Sequence, residues 1–135
     1  MALNAQILIA GEAEGECLAL THPISFWGGV DPKTGNIIDA RHPERGQNIA
    51  GKILALPGMI GSSSASAVML ELVHAKRAPA AVLMPAPDAI LLLGMIIARE
   101  MNWPYPPAFA LDAENQKALH GKRIKIGRDG TIMTT

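Results

Sequence analysis

Twice between Lys52 and Met101 the chain sets a compact apolar run, closed by proline, ahead of an apolar stretch with helical spacing. These are "KILALP" before "SSSASAVMLELVHA", and "AAVLMP" before "DAILLLGMIIAREM". Each short run has the length of a buried strand, and Pro57 with Gly58 ends the first. In the first long stretch Ala65, Val68, Met69, Leu72 and Val73 recur at i, i+3, i+4, i+7 and i+8, so one helical stripe faces a core. His74, Lys76 and Arg77 stand at its C-terminal end, where cations complement the helix dipole, and Pro79 marks the stop. Asp88 can cap the second helix, which is apolar nearly all round and is expected to be covered by the core and by a partner subunit. This strand-helix-strand-helix order predicts an α/β fold.

The flanking segments add strands. "AQILIAG" and "ECLAL" read as a hairpin separated by "EAEG", with Gly15 as the turn residue, and "AFALD" as a short strand after the rigid connector "NWPYPP". "KRIKIGRDGTIMTT" reads as two strands across an Asp129-Gly130 turn. From Thr21 to Gly51 the chain is rich in Gly, Pro, Asp and His, a long structured loop of the kind that tends to be functional. Within it "DPKTG" is a turn by chemistry: Asp31 accepts from nearby amides, Pro32 presets its φ, and Gly35 tolerates the closing conformation. With 135 residues and no internal repeat or linker, one domain over 1–135 is expected. Only five residues are aromatic, so the core must come from Ala, Ile, Leu, Met and Val, which favours close helix-on-sheet packing.

Twelve basic and twelve acidic side chains cancel, so no basic face for nucleic acid or an anionic membrane is expected, and partners should be small molecules or proteins. The lone cysteine, Cys17, permits no internal disulfide, supplies too few thiolates for a zinc or iron-sulfur site, and is expected to be buried and inert. His22, His42, His74 and His120 show no metal-ligand spacing, so no metal site is expected in this chain. No charged-then-apolar leader opens the sequence, and the longest apolar run, Ala89 to Ala98, is too short to span a bilayer. A soluble, cytoplasmic protein is the expectation.

The chemistry concentrates at "GSSSAS", Gly61 to Ser66. A strand that ends in a glycine turn and opens directly into a helix points free backbone amides at one spot, with the helix dipole behind them, which suits an anion. The plainer alternative is that Ser62 or Ser63 is an N-cap and the other serines are solvated. No Gly-Lys-Ser/Thr makes this a Walker loop, and no G-x-S-x-G makes it a nucleophile elbow. A serine here can act as proton acceptor only if amides and a neighbouring cation or metal stabilise its alkoxide. No activating partner adjoins Ser62 in sequence, so the rest of such a site lies in loops or on another chain. Nearby, "DARHP" gathers Asp39, Arg41 and His42 on constrained backbone, a turn-stabilising cluster or part of a site. Trp27 with Gly28 and Gly29 marks either a close approach to a ligand or an aromatic anchor beside a tight turn.

The stretch from Ile24 to Ser66, through "FWGGVDP", the Gly-x-Ile-x-Asp of "GNIID", "HP" and the Gly-Ser-Ser-Ser turn, closely resembles the signature of the aconitase X small subunit. That group includes phosphomevalonate dehydratase and cis-3-hydroxy-L-proline dehydratase. The resemblance implies a swivelling β/β/α domain like the mobile fourth domain of aconitases. It implies an iron-sulfur cluster held by a large subunit, against which this chain would dock. Ser62 would be the proton acceptor, with Ser63 and Ser64 as substrate contacts and with Asp31, Arg41 and His42 as the loop's best polar candidates for the cleft or interface. The implied reaction is loss of water from an anionic β-hydroxy acid: a base takes the proton next to the carboxylate while the cluster, as Lewis acid, carries off the hydroxyl. The isolated chain would be inactive. Both cis-3-hydroxy-L-proline and (R)-5-phosphomevalonate fit. A charged fraction of 18%, below the typical quarter, shows no hyperthermophile ion-pair networks and leans towards the hydroxyproline substrate. Two other readings stay open: a stand-alone anion- or phosphate-binding module without catalysis, and a structural domain whose serines only cap a helix.

Overall fold

The computed structural model describes residues 2–58, 60 and 63–135. The chain opens with β1 (Ala2–Asn4) and β2 (Gln6–Ile9), one extended run interrupted at Ala5, followed by β3 (Ala13–Ala19). A long loop, whose segment α1 (Phe26–Gly29) is a type II turn with Trp27 at φ −72°, ψ 119° and Gly28 at φ 79°, ψ −15°, leads to two strand-helix units. These are β4 (Ile53–Ala55) with α2 (Ala65–His74), and β5 (Ala81–Met84) with α3 (Ala89–Glu100). β6 (Ala108–Ala110), α4 (Ala113–Leu119), β7 (Arg123–Ile126) and β8 (Thr131–Thr134) complete the chain. No helix among the described residues is long and apolar enough to cross a membrane.

The strands form a sheet in the order β1-β8-β7-β3-β4-β5-β6-β2. β1 and β2 are neighbours in sequence yet stand at opposite ends of this order, so the sheet closes on itself in the manner of a barrel. At the seam the Ala5 N–H donates to the Gly130 carbonyl over 2.9 Å. β3 belongs to both halves of the sheet. Its Ala13–Glu16 part pairs antiparallel with β7, and its Cys17–Ala19 part pairs parallel with β4. β4, β5 and β6 continue in parallel, as the crossover helices α2 and α3 require, and β2 adds antiparallel to β6.

Side-chain alternation splits the core in two. Leu54, Leu56, Val82 and Met84 pack on the α2 and α3 side. Ile53, Ala55, Ala81 and Leu83 turn to the other side, with Cys17, Phe109, Ile124, Ile126, Ile132 and Leu119 of α4. Both faces of β4 and β5 are covered, which is why these strands read as unbroken apolar runs. β7 alternates instead, with Ile124 and Ile126 inside and Arg123 and Lys125 outside. All five stripe residues anticipated for α2 are buried, and the Asp88 carboxylate caps α3 by accepting from the Leu91 N–H at 2.9 Å.

Two sequence expectations need correction. β2 and β3 form no hairpin, because β2 finds its partner in β6 and β3 finds its partners in β4 and β7. Gly15 is accordingly no turn residue: it sits within β3, where a Cβ would stand 2.7 Å from the Gly51 carbonyl oxygen. The helix α4 was not anticipated. Its signal was Asp112, which accepts from the Asn115 N–H as N-cap, followed by the helix formers of "AENQKAL". The α/β class and the terminal hairpin hold, with Gly130 at φ +84° closing the turn between β7 and β8.

Candidate functional site

Because β3, β4 and β5 run parallel, their carboxyl ends lie side by side, and the segments that follow them meet at one end of the sheet. β3 feeds the long loop, β4 feeds the segment leading to the serines, and β5 feeds the cap of α3. The loop is held down by its own apolar residues. Ile24, Phe26, Val30, Ile37 and Ile49 are all buried and plug into the cluster under α2. Between them the backbone pairs: Ile38 N–H to Gly29 O and Ile49 N–H to Gly35 O at 2.9 Å, and Ile37 N–H to Gln47 O at 2.8 Å. The Asp31 carboxylate accepts from the Lys33 N–H at 2.9 Å and so shapes the expected turn, where Gly35 has φ +82°.

His42 is 6% exposed, and both its ring nitrogens are engaged. Nδ1 accepts from the Glu44 N–H at 3.1 Å, which leaves the proton on Nε2 to donate to the His22 carbonyl at 3.0 Å. The Glu44 carboxylate in turn holds Thr21, accepting from its N–H at 2.7 Å and from its hydroxyl at 2.9 Å. The His42–Glu44 segment is thereby latched to the chain just past β3. Thr21 and Glu44 carried no sequence signal, since residues so far apart meet only when the loop folds back.

Among the described residues, two clefts at this end of the sheet adjoin the segment that carries the serines, and a third, of about 240 Å³, opens beside Thr21, Glu44 and His120. Of those two, the first, of about 360 Å³, is lined by His22, Asp39, Arg41, His42 and Ile60 among others. The "DARHP" cluster therefore does come together, with His22 added. The Asp39 carboxylate accepts from the Arg41 N–H at 3.0 Å, while the exposed Arg41 guanidinium has no hydrogen bond or ion pair among the described residues. The second cleft, of about 340 Å³, is lined by Trp27, Gly28, Ile38, Ser64, Val68 and Glu71 among others. Asp31 lines neither.

Of the serines, the N-cap position of α2 falls to Ser64 rather than to Ser62 or Ser63. The Ser64 carbonyl accepts from the Val68 N–H at 3.1 Å, and its side chain makes no capping bond. Ser63 is exposed. Ser62, with Gly61, lies outside the described residues. Its described neighbours Ile60 and Ser64 line the first and the second cleft respectively.

An iron-sulfur cluster does not fit the residues present. Cys17 is fully buried within β3, and burial, aided by the negative charge of Glu16, pushes its thiol up to about 11. No group of three His, Cys, Asp or Glu side chains that could hold a metal occurs among the described residues.

A family model described as the aconitase X swivel domain matches residues 2–134. The phosphomevalonate dehydratase small subunit of Thermococcus kodakarensis is 42% identical over 129 residues, which cover 96% of this chain and 92% of that protein. The cis-3-hydroxy-L-proline dehydratase of Pseudomonas aeruginosa is 50% identical over 94 residues, 70% of this chain, and the match spans only 16% of that enzyme's length. The crystal structure of Thermococcus kodakaraensis aconitase X in its holo form superposes with a TM-score of 0.86 at 33% identity, covering 100% of this chain and 98% of the matched chain.

Proposed function

Because the chain belongs to the aconitase X swivel-domain family, we propose that it is the small subunit of a dehydratase acting on a small anionic β-hydroxy acid, with Ser62 as the proton acceptor. The observation that carries this reading is that Ile60 and Ser64, the described residues closest to Ser62 on its N-terminal side and two places beyond it, line two clefts at the carboxyl ends of the parallel strands. Arg41 stands on the first cleft with its guanidinium unpartnered among the described residues, and the first amides of α2 border the second. A carboxylate or phosphate suits the Arg41 side of the first, while the second also carries the Glu71 carboxylate.

In the reaction Ser62, as its alkoxide, takes the proton from the carbon next to the carboxylate, the bond from the neighbouring carbon to its hydroxyl breaks to release hydroxide, and the proton held by Ser62 passes to that hydroxide, giving water and restoring the alkoxide. Amides at the start of α2 stabilise the serine alkoxide, with Ser63 and Ser64 as substrate contacts. Asp31 and His42 enter as positioning residues, since their polar atoms already hold the loop. In this reading the cluster that the resemblance implies is assigned to the large subunit, a division with which the lone, buried Cys17 is consistent. Of the two candidate substrates, cis-3-hydroxy-L-proline is the first to test, on the low charged fraction of the chain.

The test is to co-purify the chain with its large subunit and assay both substrates. Ser62→Ala is expected to lower kcat by roughly 10²- to 10⁴-fold with the pair still assembled. A wild-type rate in that variant removes Ser62 from the chemistry. Failure of the wild-type pair to dehydrate either substrate removes the dehydratase. Arg41, whose guanidinium has no partner among the described residues, supports a second reading, a module that binds anions without catalysis. Saturable carboxylate or phosphate binding by the isolated chain, lost in Arg41→Ala and unaccompanied by dehydration in the pair, would establish that one instead.

A further inference from the structure

A cavity of about 470 Å³, larger than either cleft beside the serines, opens against the outer face of α2 and takes no part in the proposed reaction. Three segments wall it. α2 contributes Leu70, Glu71 and His74, the Asp31 turn contributes Lys33, and the connector after α3 contributes Trp103. Two of these walls are fixed by hydrogen bonds of their own. In the turn, the Lys33 N–H donates to the Asp31 carboxylate at 2.9 Å and the Gly35 N–H to the Asp31 carbonyl at 2.8 Å. In the connector, Asn102 at φ +60° turns the chain off the end of α3, so that the Trp103 N–H returns to the Ala98 carbonyl at 2.9 Å. The indole then lies beside the His74 imidazole, ring centres 5.5 Å apart and tilted by 42°. Leu70 and Trp103 also pack on the core beneath α2 and α3, which seats the apolar side of the cavity. Space of this size with firm, largely apolar walls and a few polar groups is what small-molecule sites offer.

The two charged groups on these walls have opposite signs. Lys33 and Glu71 are both exposed, they do not pair with each other, and neither side chain makes an ion pair among the described residues. A simple anion drawn to Lys33 meets the Glu71 carboxylate, and a simple cation drawn to Glu71 meets Lys33. A neutral apolar molecule would strip water from both charges and return nothing. A molecule with a carboxylate and an ammonium at one end and an apolar body at the other answers every wall. We propose that the cavity binds a large apolar α-amino acid, its carboxylate on Lys33, its ammonium on Glu71 and its side chain against Leu70, His74 and Trp103. An aromatic side chain gains most, because the indole offers a face or an edge to a second ring. The site is separate from the proposed dehydration and does not depend on it. Pro32 and Glu71 line both this cavity and the second cleft, so a ligand held here shares a wall with the region of the serines.

The test is calorimetric titration of L-phenylalanine into the full chain and into the pair co-purified with the large subunit. Saturable binding with a Kd on the order of 1 mM or below is expected in both. Phenylpropanoate, which lacks the ammonium, and phenethylamine, which lacks the carboxylate, should each bind about tenfold more weakly. Lys33→Gln and Glu71→Gln change exposed side chains, so folding is not at risk, and each should weaken L-phenylalanine about tenfold. In Glu71→Gln the advantage of L-phenylalanine over phenylpropanoate should vanish, which a merely structural role for Glu71 would not produce. Trp103→Leu, with Tm measured to show that it folds, should also weaken binding about tenfold. Arg41→Ala, which removes the cation of the first cleft, should leave binding within about twofold of wild type. Absence of saturation up to roughly 20 mM overturns the proposal. So does equal binding of L-phenylalanine and phenylpropanoate by the wild type, or binding lost in Arg41→Ala and kept in Lys33→Gln, which would put the anion in the first cleft. Binding by the isolated chain that disappears in the assembled pair overturns it too, by making the cavity part of an interface. Dehydration does not enter these readings: a pair that dehydrates nothing leaves the amino-acid site standing, and one that dehydrates normally does not rescue it.

Discussion

Cys17 is paired opposite Ile53 in the middle of the sheet and has no accessible surface, so its thiol is solvated only when the chain unfolds. Burial first, and Glu16 second, raise it from 9.0 to about 11. The unfolded chain therefore loses this proton first. Stability is fully present below about pH 9 and falls as pH rises towards 11. Between pH 8 and 10.5 the wild type should lose on the order of 1–2 kcal/mol more than Cys17→Ala, measured by urea unfolding at both pH values. An equal loss in both would show that the thiol does not titrate differently in the two states. At this scale the inertness of Cys17 was legible in sequence, as a lone cysteine in an apolar run. The work of His42 was not: its ring bonds run to Glu44 and to the His22 carbonyl, and only the folded loop selects those partners from the several its neighbourhood offers.

Among the elements, α2 and α3 meet at Gly94, where a Cβ would stand 2.6 Å from the Ser66 carbonyl oxygen and 2.9 Å from its Cα. Both atoms are backbone and cannot rotate away, so the helices would have to separate. Gly94→Ala gains about 1 kcal/mol of helix propensity, yet overpacking should dominate and leave a net loss of about 1–3 kcal/mol in urea unfolding. Because Ser66 is the second residue of α2, the same substitution should also lower the activity of the assembled pair. A stabilised variant would mean that the two helices part without cost. Both helices were readable from their spacing, and so was the Asp88 cap. The cap of α2 was not, because adjacent serines are chemically equivalent as caps and the path of the chain out of β4 decides which one serves. α4 escaped notice because it buries only Gln116 and Leu119, too few for a periodic stripe.

For the molecule as a whole, closure depends on the seam where Ala5 meets Gly130. Gly130 has φ +84°, and a Cβ there would run into the Ala5 carbonyl oxygen. Gly130→Ala should therefore cost about 2 kcal/mol or more and open the barrel locally. Hydrogen exchange should speed up along β1 and β8 while β5 stays protected, and uniform acceleration would show instead that the seam opens only with global unfolding. The sequence by itself determined the two strand-helix units, the Asp31 turn, the terminal hairpin, the resemblance carried by Ile24 to Ser66, and Ser62 as the serine to test. Each of these depends on residues a few places apart, whose spacing and turn chemistry act wherever the chain goes. The tertiary structure alone decided that β2 joins β6, that β3 serves both halves of the sheet, and that Thr21, Glu44, Arg41 and Ile60 gather at one end of it. Strand pairing is a competition among all strands for edges, settled by burial across the whole chain, and a short apolar run carries no mark of which distant partner will win.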